Sequence, residues 1–288
     1  MAEHIVVYGK GGVGTSTLVS NISAAMTDAG FKVLQVGCSS KADSCTTLHC
    51  GFPVPTAYEV LNRSSELTVD SIVHNGFKGV STIEIGSPGP SDPALEAVFA
   101  IIQRERIFEA THADYVLYDL SGDNDFAGYY EMLSRYGASR LYVVTTADFM
   151  SLRTVNRVFG EIDRLGAGMT PIPFGGIIPN GISNSFEGSF IADFANKTST
   201  HVLGRVPRSL MVMQCELYGK TVIEASPLSN QSYYYRRLAN QLVDISIALP
   251  VKSQPRAMTG DVLREWAREW ADRLFALENG LVSDGAAI

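Results

Sequence analysis

The chain has 288 residues and a mass of 31.2 kDa, enough for one large domain or two ordinary ones. Hydrophobic residues make up 45% and charged residues 18% of the sequence, a balance that is typical of folded proteins and excludes general disorder. The 23 Lys and Arg against 30 Asp and Glu give a net charge of −7. Because such a surface repels phosphate backbones and anionic lipids, we predict neither a nucleic-acid nor a membrane partner.

Hydropathy and cysteine usage indicate the compartment. No apolar segment approaches the roughly 18 residues that a membrane span requires, and the first ten residues do not resemble a signal peptide. The four cysteines, at positions 38, 45, 50 and 215, are too few and too irregularly spaced for a disulfide scaffold. These features predict a cytoplasmic protein with reduced thiols.

Short strand-like segments alternate with longer segments of helical period along the chain. The strand HIVVY (4–8), a helix over 16–30 and the strand KVLQV (32–36) together predict a βαβ unit. Further predicted strands cover residues 81–85, 114–119, 140–146, 174–179 and 201–206. Apolar strands that alternate with helices predict an α/β fold, with a mainly parallel sheet flanked by helices on both faces.

The sequence predicts one domain over residues 1–250 and a distinct segment over 251–288. The start of that segment is polar and contains Pro and Gly, which is typical of a linker. Large apolar residues then recur at helical spacing: Leu263, Trp266, Trp270, Leu274 and Leu277. This pattern predicts a C-terminal amphipathic helix that packs on the domain or on a partner.

A glycine-rich segment lies between the first predicted strand and the first predicted helix. It consists of Gly9, Lys10, Gly11, Gly12, Val13, Gly14, Thr15, Ser16 and Thr17. Glycines let successive backbone N–H groups point into one concavity, and the helix N-terminus adds partial positive charge. The segment is therefore predicted to bind a polyphosphate, with the Ser16 hydroxyl on Mg²⁺. A tight glycine turn without a ligand is the alternative.

The loop departs from the usual G-x-x-x-x-G-K-[ST] pattern at one position, where Thr15 replaces lysine. This removes a charge-assisted phosphate contact worth about 1.5–3 kcal/mol, so we expect binding to survive more readily than turnover. Lys10, at the second loop position, is a mark of the deviant P-loop class. Resemblance to that class implies a dimer in which Lys10 reaches the nucleotide of the opposite subunit as a catalytic cation.

Four segments, in order over residues 4–240, resemble one known family. VYGKGGVGTST resembles its GKGGIGKST loop, VLQVGCSSKADSCT its VGCDPKADST segment, and YDLSGDNDFAGY its YDVLGDVVCGGF switch. The later segment VPRSLMVMQCELYGKTVIEASPLSNQSYYYRRLA is similar to its VPR, E, KTVIE and NQ…YRxLA motifs. The family is that of the nitrogenase iron proteins, which includes the iron-protein-like subunits of the protochlorophyllide and chlorophyllide reductases. The resemblance implies a P-loop NTPase fold and ATP or ADP with Mg²⁺ as ligand.

The resemblance also implies roles for individual acidic and basic residues. Lys41 and Asp43 fall on the first switch segment, and Asp119 resembles a carboxylate that orients Mg²⁺ through water. The implied metal set is thus Ser16, Asp43 and Asp119, and Asp123 resembles the carboxylate that activates the attacking water. For each acid, an ordinary cap or turn carboxylate is the alternative.

Residues from the later segments are implied to contact the nucleoside. Asn180 resembles an asparagine that contacts adenine, and Pro207, Arg208 and Glu216 match the segment that closes over base and ribose. The predicted nucleotide-binding set therefore joins the glycine-rich loop to these four residues and to Lys41.

Several departures from the family pattern affect redox chemistry. The family places two cysteines of each subunit on a shared [4Fe-4S] cluster; here Phe126 occupies one position, and the other falls near Ser91 in a segment without cysteine. Ser39 replaces a switch aspartate, and Ala94 lies near the position of a docking arginine. We therefore expect no iron–sulfur ligands, a buried Cys38 and no metal role for the other cysteines.

These observations favour a cluster-free, nucleotide-binding relative of the iron protein, with at most slow ATPase activity. We expect a homodimer that acts as a conformational switch or accessory factor for a protein partner. One alternative is a pseudo-enzyme, a structural or regulatory module that binds no nucleotide. Another is an ATP-dependent reductase with an unusual cluster site. A DNA-partitioning ATPase of the deviant P-loop class fits less well because of the acidic net charge.

Overall fold

The computed structural model of the chain describes residues 2–64, 66–86, 93–121, 126–166, 168–248 and 254–280. Their strands are β1 (Glu3–Gly9), β2 (Val33–Gly37), β3 (His74–Asn75), β4 (Ser81–Glu84), β5 (Tyr115–Ser121), β6 (Arg140–Thr145), β7 (Phe174–Ile182) and β8 (Val206–Pro207). They form one sheet in the order β3-β4-β2-β5-β1-β6-β7-β8. All neighbours are parallel except β3 and β4, which confirms the predicted mainly parallel sheet.

The helices lie on both faces of this sheet. They are α1 (Thr15–Asp28), α2 (Ala57–Ser64), α3 (Val69–Ile72), α4 (Pro93–Arg104), α5 (Ile107–Ala110), α6 (Phe126–Arg135), α7 (Phe149–Gly166), α8 (Ser185–Lys197), α9 (Leu210–Leu217), α10 (Val222–Ala225), α11 (Asn230–Ala248) and α12 (Gly260–Glu278). None of those within the described ranges could cross a membrane by its length and hydropathy.

The alternation of side chains along β1 divides the core into two clusters. Val6 and Tyr8 point to one face, where they meet apolar residues of α4, α6, α7, α8 and α12. Ile5 and Val7 point to the other face, where α1, α10 and α11 cover the sheet. Because β1 is central and pairs with β5 and β6, its carboxyl end at Gly9 is held rigidly on both sides. The glycine-rich loop starts from this fixed point.

The predicted strand over 201–206 is mostly wrong. Val202 makes only an isolated bridge to Ile177, and the regular strand β8 is limited to Val206–Pro207. Between these two pairings, Gly204 lies against the Gln241 side chain, where a Cβ atom would come within 2.6 Å of Gln241 Oε1. The short antiparallel strand β3 was not predicted, because two residues carry no periodicity.

The C-terminal helix α12 packs on α8. Trp266 stacks on Phe190 with ring centroids 4.9 Å apart, and the Trp270 ring meets Phe186 edge-on at 5.3 Å. The Nε1 atoms of both tryptophans donate to Asp193 Oδ2 at 2.8 Å. The apolar stripe predicted from the sequence is buried only in its first half, since Leu274 is 42% exposed.

Candidate nucleotide site

The glycine-rich loop has the backbone conformation of a phosphate cradle. It leaves β1 at Gly9 and enters α1 at Thr15, and Gly12 and Gly14 have φ angles of 89° and 84°. These left-handed conformations are accessible to glycine without the steric cost that a Cβ atom brings. At Gly9 a Cβ atom would overlap Thr15 Oγ1, so the loop also requires glycine for space. The structure therefore forms the loop that the sequence predicts.

The Thr15 side chain is buried beneath the loop backbone and does not project from the loop into solvent. This side chain is 5% exposed, and its hydroxyl occupies the space beside Gly9. The next residue, Ser16, is partly exposed at the start of α1. Within the described part of the chain, no ion pair engages the side chain of Lys10, which leaves its ammonium available.

Two side-chain contacts join the loop to the predicted nucleoside segments. Asn180 Nδ2 donates to the Val13 carbonyl at 2.8 Å, and a Cβ atom at Gly14 would lie 2.6 Å from the same nitrogen. Thr17 Oγ1 donates to Glu216 Oε1 at 2.5 Å. The structure therefore brings Asn180 and Glu216 to the loop, although the adenine contact of Asn180 stays a prediction.

The remaining two residues of that set lie on the sheet edge. Pro207 ends β8, where its carbonyl accepts a hydrogen bond from Gln231 Nε2 at 3.2 Å. Arg208 follows with an exposed side chain, and its backbone N–H donates to the Ile182 carbonyl at 3.0 Å. Both residues are thus held next to the carboxyl end of β7, which carries Asn180.

Asp119, one of the two predicted metal-binding carboxylates, lies beside the Ser16 hydroxyl. Asp119, on β5, is 1% exposed and accepts a hydrogen bond from Ser44 Oγ at 2.5 Å through Oδ2. Its Oδ1 is buried and accepts none. Burial raises the pKa of Asp119, the Ser16 and Ser44 hydroxyls lower it, and the charge of Asp43 raises it. An unpartnered carboxylate oxygen beside a serine hydroxyl fits a hydrated Mg²⁺ ion, which would satisfy that oxygen.

The first switch segment is anchored by a buried polar network. Gln35, on β2, donates from Nε2 to the Ser44 carbonyl and Ser44 Oγ, both at 3.0 Å. Ser20 Oγ on α1 donates to the same carbonyl at 2.7 Å. Lys41 and Asp43 precede this anchor with exposed side chains. The network was not predicted, because its members come from three elements that only the fold brings together.

Glu84 is a second buried carboxylate that the sequence analysis missed. It is 1% exposed at the end of β4, and its Oε1 accepts the Cys45 N–H at 2.6 Å. Burial, with smaller contributions from the charges of Asp119 and Asp43, raises its pKa to about 7. An acidic residue inside the apolar segment STIEI was the available signal, since buried carboxylates concentrate at functional sites.

Two predicted positions lie outside the described residues. They are the catalytic candidate Asp123 and Ser91, near the second expected cluster position. The other expected position, Phe126, is 4% exposed, and its ring meets Tyr8 edge-on at 4.9 Å. An aromatic ring supplies no ligand to iron.

The thiols have no arrangement that suits a cluster. Cys38 is fully buried, as predicted, and so are Cys45 and Cys215, while Cys50 is exposed. Burial and the nearby carboxylates Asp119 and Glu84 raise the pKa of the Cys38 and Cys45 thiols, which disfavours the thiolate form that binds metals. In the ranges that the structure describes, no three His, Cys, Asp or Glu side chains are grouped to hold a metal ion. The absence of a [4Fe-4S] cluster stays a prediction.

Solved structures with the same fold extend over nearly the whole chain. MinD cell division protein from Aquifex aeolicus superimposes with a TM-score of 0.65 at 21% identity, covering 88% of this chain and 100% of that one. Cobyrinic acid a,c-diamide synthase from Mycobacterium smegmatis, solved with an ATP analog and magnesium, gives 0.65 at 17% identity, covering 90% and 100%. At this level of identity the likeness establishes the P-loop NTPase fold alone.

Sequence comparison is more specific. The family described as "4Fe-4S iron sulfur cluster binding proteins, NifH/frxC family" matches residues 3–270. Nitrogenase iron protein 2 of Paenibacillus durus is 36% identical over 289 aligned residues, which cover 99% of this chain and 97% of that protein. With a matching fold, a formed phosphate loop and this extent of identity, the chain belongs to the NifH/frxC family.

Proposed function

We propose that the protein is a NifH/frxC family member that binds Mg-ATP or Mg-ADP without a [4Fe-4S] cluster. It acts as a dimeric conformational switch or accessory factor for a protein partner, and its ATPase activity is weak or absent. The proposal rests on one observation: the glycine-rich loop has the backbone conformation of a phosphate site, and Oδ1 of Asp119 nearby accepts no hydrogen bond. A polyphosphate and its hydrated Mg²⁺ would supply the partners that both features lack.

The polar contacts around the cradle support a site that responds to its ligand. Thr17 links the loop to Glu216, and Ser44 links the first switch segment to Asp119. A metal-bound nucleotide would contact Ser16, which is adjacent to Thr17, and would contact Asp119 through water. Binding would therefore act on both hydrogen bonds. We infer that exchange between ligand-bound and free states moves α9 and the first switch segment, which is how the protein would signal to a partner.

The absence of a cluster is supported by the chemistry of the available donors. The chain has four cysteines, and neither expected cluster position carries one. Phe126 instead packs into the aromatic core with Tyr8 and Tyr130. An iron–sulfur cluster shared by two subunits needs two thiolates from each, so we propose that this chain transfers no electrons.

Slow or absent hydrolysis follows from the charges at the loop. Thr15 offers no cation to the β- and γ-phosphates, so Lys10 of a second copy is the cation that we assign to the γ-phosphoryl group. Asp123 is the proposed activator of the attacking water, with Mg²⁺ held by Ser16 directly and by Asp43 and Asp119 directly or through water. Mg²⁺ would supply charge neutralisation when bound.

The surface of α9 supports a second copy as the dimer partner. Leu210, Met213 and Leu217 lie on one side of this helix and are 78%, 55% and 81% exposed. The helix begins next to Arg208 and is tied to the loop through Glu216. An in-trans role of Lys10 requires a second subunit against this same face of the molecule, and burial of the apolar side chains would stabilise that dimer.

Calorimetric titration with Mg-ADP and Mg-ATP tests nucleotide binding. We expect saturable binding, and we expect Ser16→Ala to weaken it about tenfold because one ligand of the ion is lost. Ser134→Ala removes a hydroxyl on α6 and serves as the matched control. Absence of binding at millimolar nucleotide would instead favour the pseudo-enzyme, a module that holds no ligand.

Metal analysis of anaerobically purified protein tests the redox part of the proposal. We expect neither iron nor acid-labile sulfide in stoichiometric amount. A content near four iron atoms per dimer would contradict the proposal and favour a reductase with an unusual cluster site.

A further inference from the structure

A cavity lies at the β8 edge of the sheet, and none of its lining residues belongs to the phosphate loop. It has a volume of about 390 Å³ and is formed between residues 202–205 and helix α11. Arg205 and Gly204 line it on one side, and Tyr233, Tyr234 and Arg237 on the other. Its volume falls within the range of cavities that bind small molecules, which is about 300–1,000 Å³.

The cavity carries an uncompensated positive charge. Arg205 and Arg237 are both exposed, and neither forms an ion pair with another residue in the described parts of the chain. No acidic residue lines the cavity. In a protein with a net charge of −7, two free guanidinium groups at one opening form a local site for an anion. Guanidinium groups bind carboxylates and phosphates through paired N–H donors.

The opposite wall is aromatic. The rings of Tyr233 and Tyr234 meet edge-on with centroids 5.8 Å apart, and Tyr233 is 59% exposed. Their phenol groups can donate further hydrogen bonds to an anion, while the ring faces can contact its carbon skeleton. The combination favours an organic anion over a bare inorganic one.

Gln241 supplies a third recognition element. Its Nε2 donates to the Leu203 carbonyl at 3.1 Å, which leaves Oε1 as the free end of the amide. This oxygen is buried and accepts no hydrogen bond, and it lies directly beside Gly204 in the cavity wall. A buried acceptor without a donor is unfavourable, so an N–H or O–H group of a ligand would stabilise it.

We propose that this cavity binds a small organic anion. Its carboxylate or phosphate group contacts Arg205 and Arg237, and an N–H or O–H group donates to Gln241 Oε1. None of the residues that line the cavity belongs to the predicted nucleotide-binding set. Its ligand is therefore distinct from the nucleotide proposed above.

Titration of the full chain with three probes tests the site. The probes are inorganic phosphate, succinate and O-phosphoserine, each measured by calorimetry with and without saturating Mg-ADP to separate this site from the phosphate loop. We expect saturable binding of at least one organic probe with a Kd of about 1 mM or lower in both conditions. Preference for succinate would indicate that carboxylates suffice, whereas preference for O-phosphoserine, which carries both a carboxylate and a phosphate, would indicate that the phosphate contributes.

Paired variants locate the binding. The double variant Arg205→Ala/Arg237→Ala is expected to lose at least about tenfold in affinity, because both charge-assisted contacts are removed. The control Arg153→Ala/Arg157→Ala removes the same charge from two exposed arginines of α7 and is expected to bind as the parent chain does. No saturable binding of any probe, or equal affinity in the two double variants, would overturn the proposal.

A single variant tests the role of the amide. Gln241→Leu is expected to weaken O-phosphoserine, which carries an N–H donor, and to leave succinate binding unchanged. Equal effects on the two probes would overturn the assignment of a donor to Gln241. Failure of all three experiments would leave nucleotide binding at the loop intact, since that is measured separately.

Discussion

At the scale of single residues, Thr15 occupies the position where a P-loop usually carries lysine. The backbone cradle is complete, but the side chain at this position is 5% exposed and directed back toward Gly9 rather than over the loop. Backbone N–H groups alone can hold phosphate oxygens, whereas stabilisation of charge that develops on the γ-phosphoryl group needs a cation. We therefore propose that Thr15 limits turnover more than it limits binding.

Restoring the cation should tighten the complex. Thr15→Lys is expected to lower the Kd for Mg-ATP at least tenfold, because a charge-assisted hydrogen bond to phosphate is worth about 1.5–3 kcal/mol. Calorimetry measures the change, and Thr15→Met provides a chain of similar length without charge. Equal tightening by Lys and Met would contradict an electrostatic cause.

Glu84 makes stability depend on pH. Its pKa is raised from an ordinary value of 4.5 to about 7 by burial, so the folded state favours the protonated form. The free energy of unfolding should therefore fall as pH rises from about 4.5 to 7, by about 3 kcal/mol in total. Urea unfolding between pH 5 and pH 8, without nucleotide or Mg²⁺, measures this slope.

The variant Glu84→Gln should flatten that dependence. Glutamine keeps an oxygen for the Cys45 N–H and has no charge to desolvate. Glu66→Gln, at an exposed position, is the control and should leave the slope unchanged. If the stability of Glu84→Gln depends on pH as strongly as that of the parent chain, the dependence comes from other groups. Asp119 is one such group, because its pKa is also raised.

At the scale of elements, α12 is attached to the domain by a polar contact inside an apolar interface. Both indole N–H groups donate to one oxygen of Asp193 on α8, while Phe186, Phe190 and their neighbours surround the rings. The amphipathic spacing of apolar residues predicted this helix, and it predicted that the face with both tryptophans is buried. It did not identify α8 as the surface that receives it, because that surface is about 70 residues away in the chain.

Removing the shared acceptor should destabilise this attachment. Asp193→Ala leaves two buried donors unsatisfied, so we expect a loss of about 2–4 kcal/mol in the free energy of unfolding. The chain has two tryptophans, both in α12, so their fluorescence in urea reports on this helix directly. Asp193→Asn keeps an oxygen acceptor and should lose less stability. Equal losses in the two variants would show that the negative charge of Asp193, and not its role as a hydrogen-bond acceptor, stabilises the attachment.

At the scale of the whole molecule, the proposed dimer depends on the exposed apolar face of α9. Leu217→Glu places a charge at an 81% exposed position of that face. With Mg-ATP present, we expect it to raise the dimer dissociation constant at least about tenfold, measured by sedimentation velocity. Phe275→Glu on α12, at a 63% exposed position, is the control. A dimer that tolerates Leu217→Glu would place the interface elsewhere.

The sequence by itself determined the features that arise from local patterns. Short apolar segments predicted the central strands β1, β2, β5 and β6, and the glycine-rich segment predicted the phosphate loop, because both depend on residues adjacent in the chain. Motif order over residues 4–240 predicted the family. The strand predicted at 201–206 was mostly wrong, because regular pairing with β7 is limited to Val206 and Pro207 and Val202 makes only an isolated bridge.

Tertiary structure alone decided which distant groups meet. Gln35, Ser20 and Ser44 form one network, Glu84 joins the carboxylate Asp119 behind the loop, and Arg205 shares a cavity with Arg237. The spacing of these residues in the sequence carries no signal, because packing of strands and helices sets the distances between them. The pKa of a carboxyl group is likewise decided by its burial and by neighbouring charges, which exist only once the chain has folded.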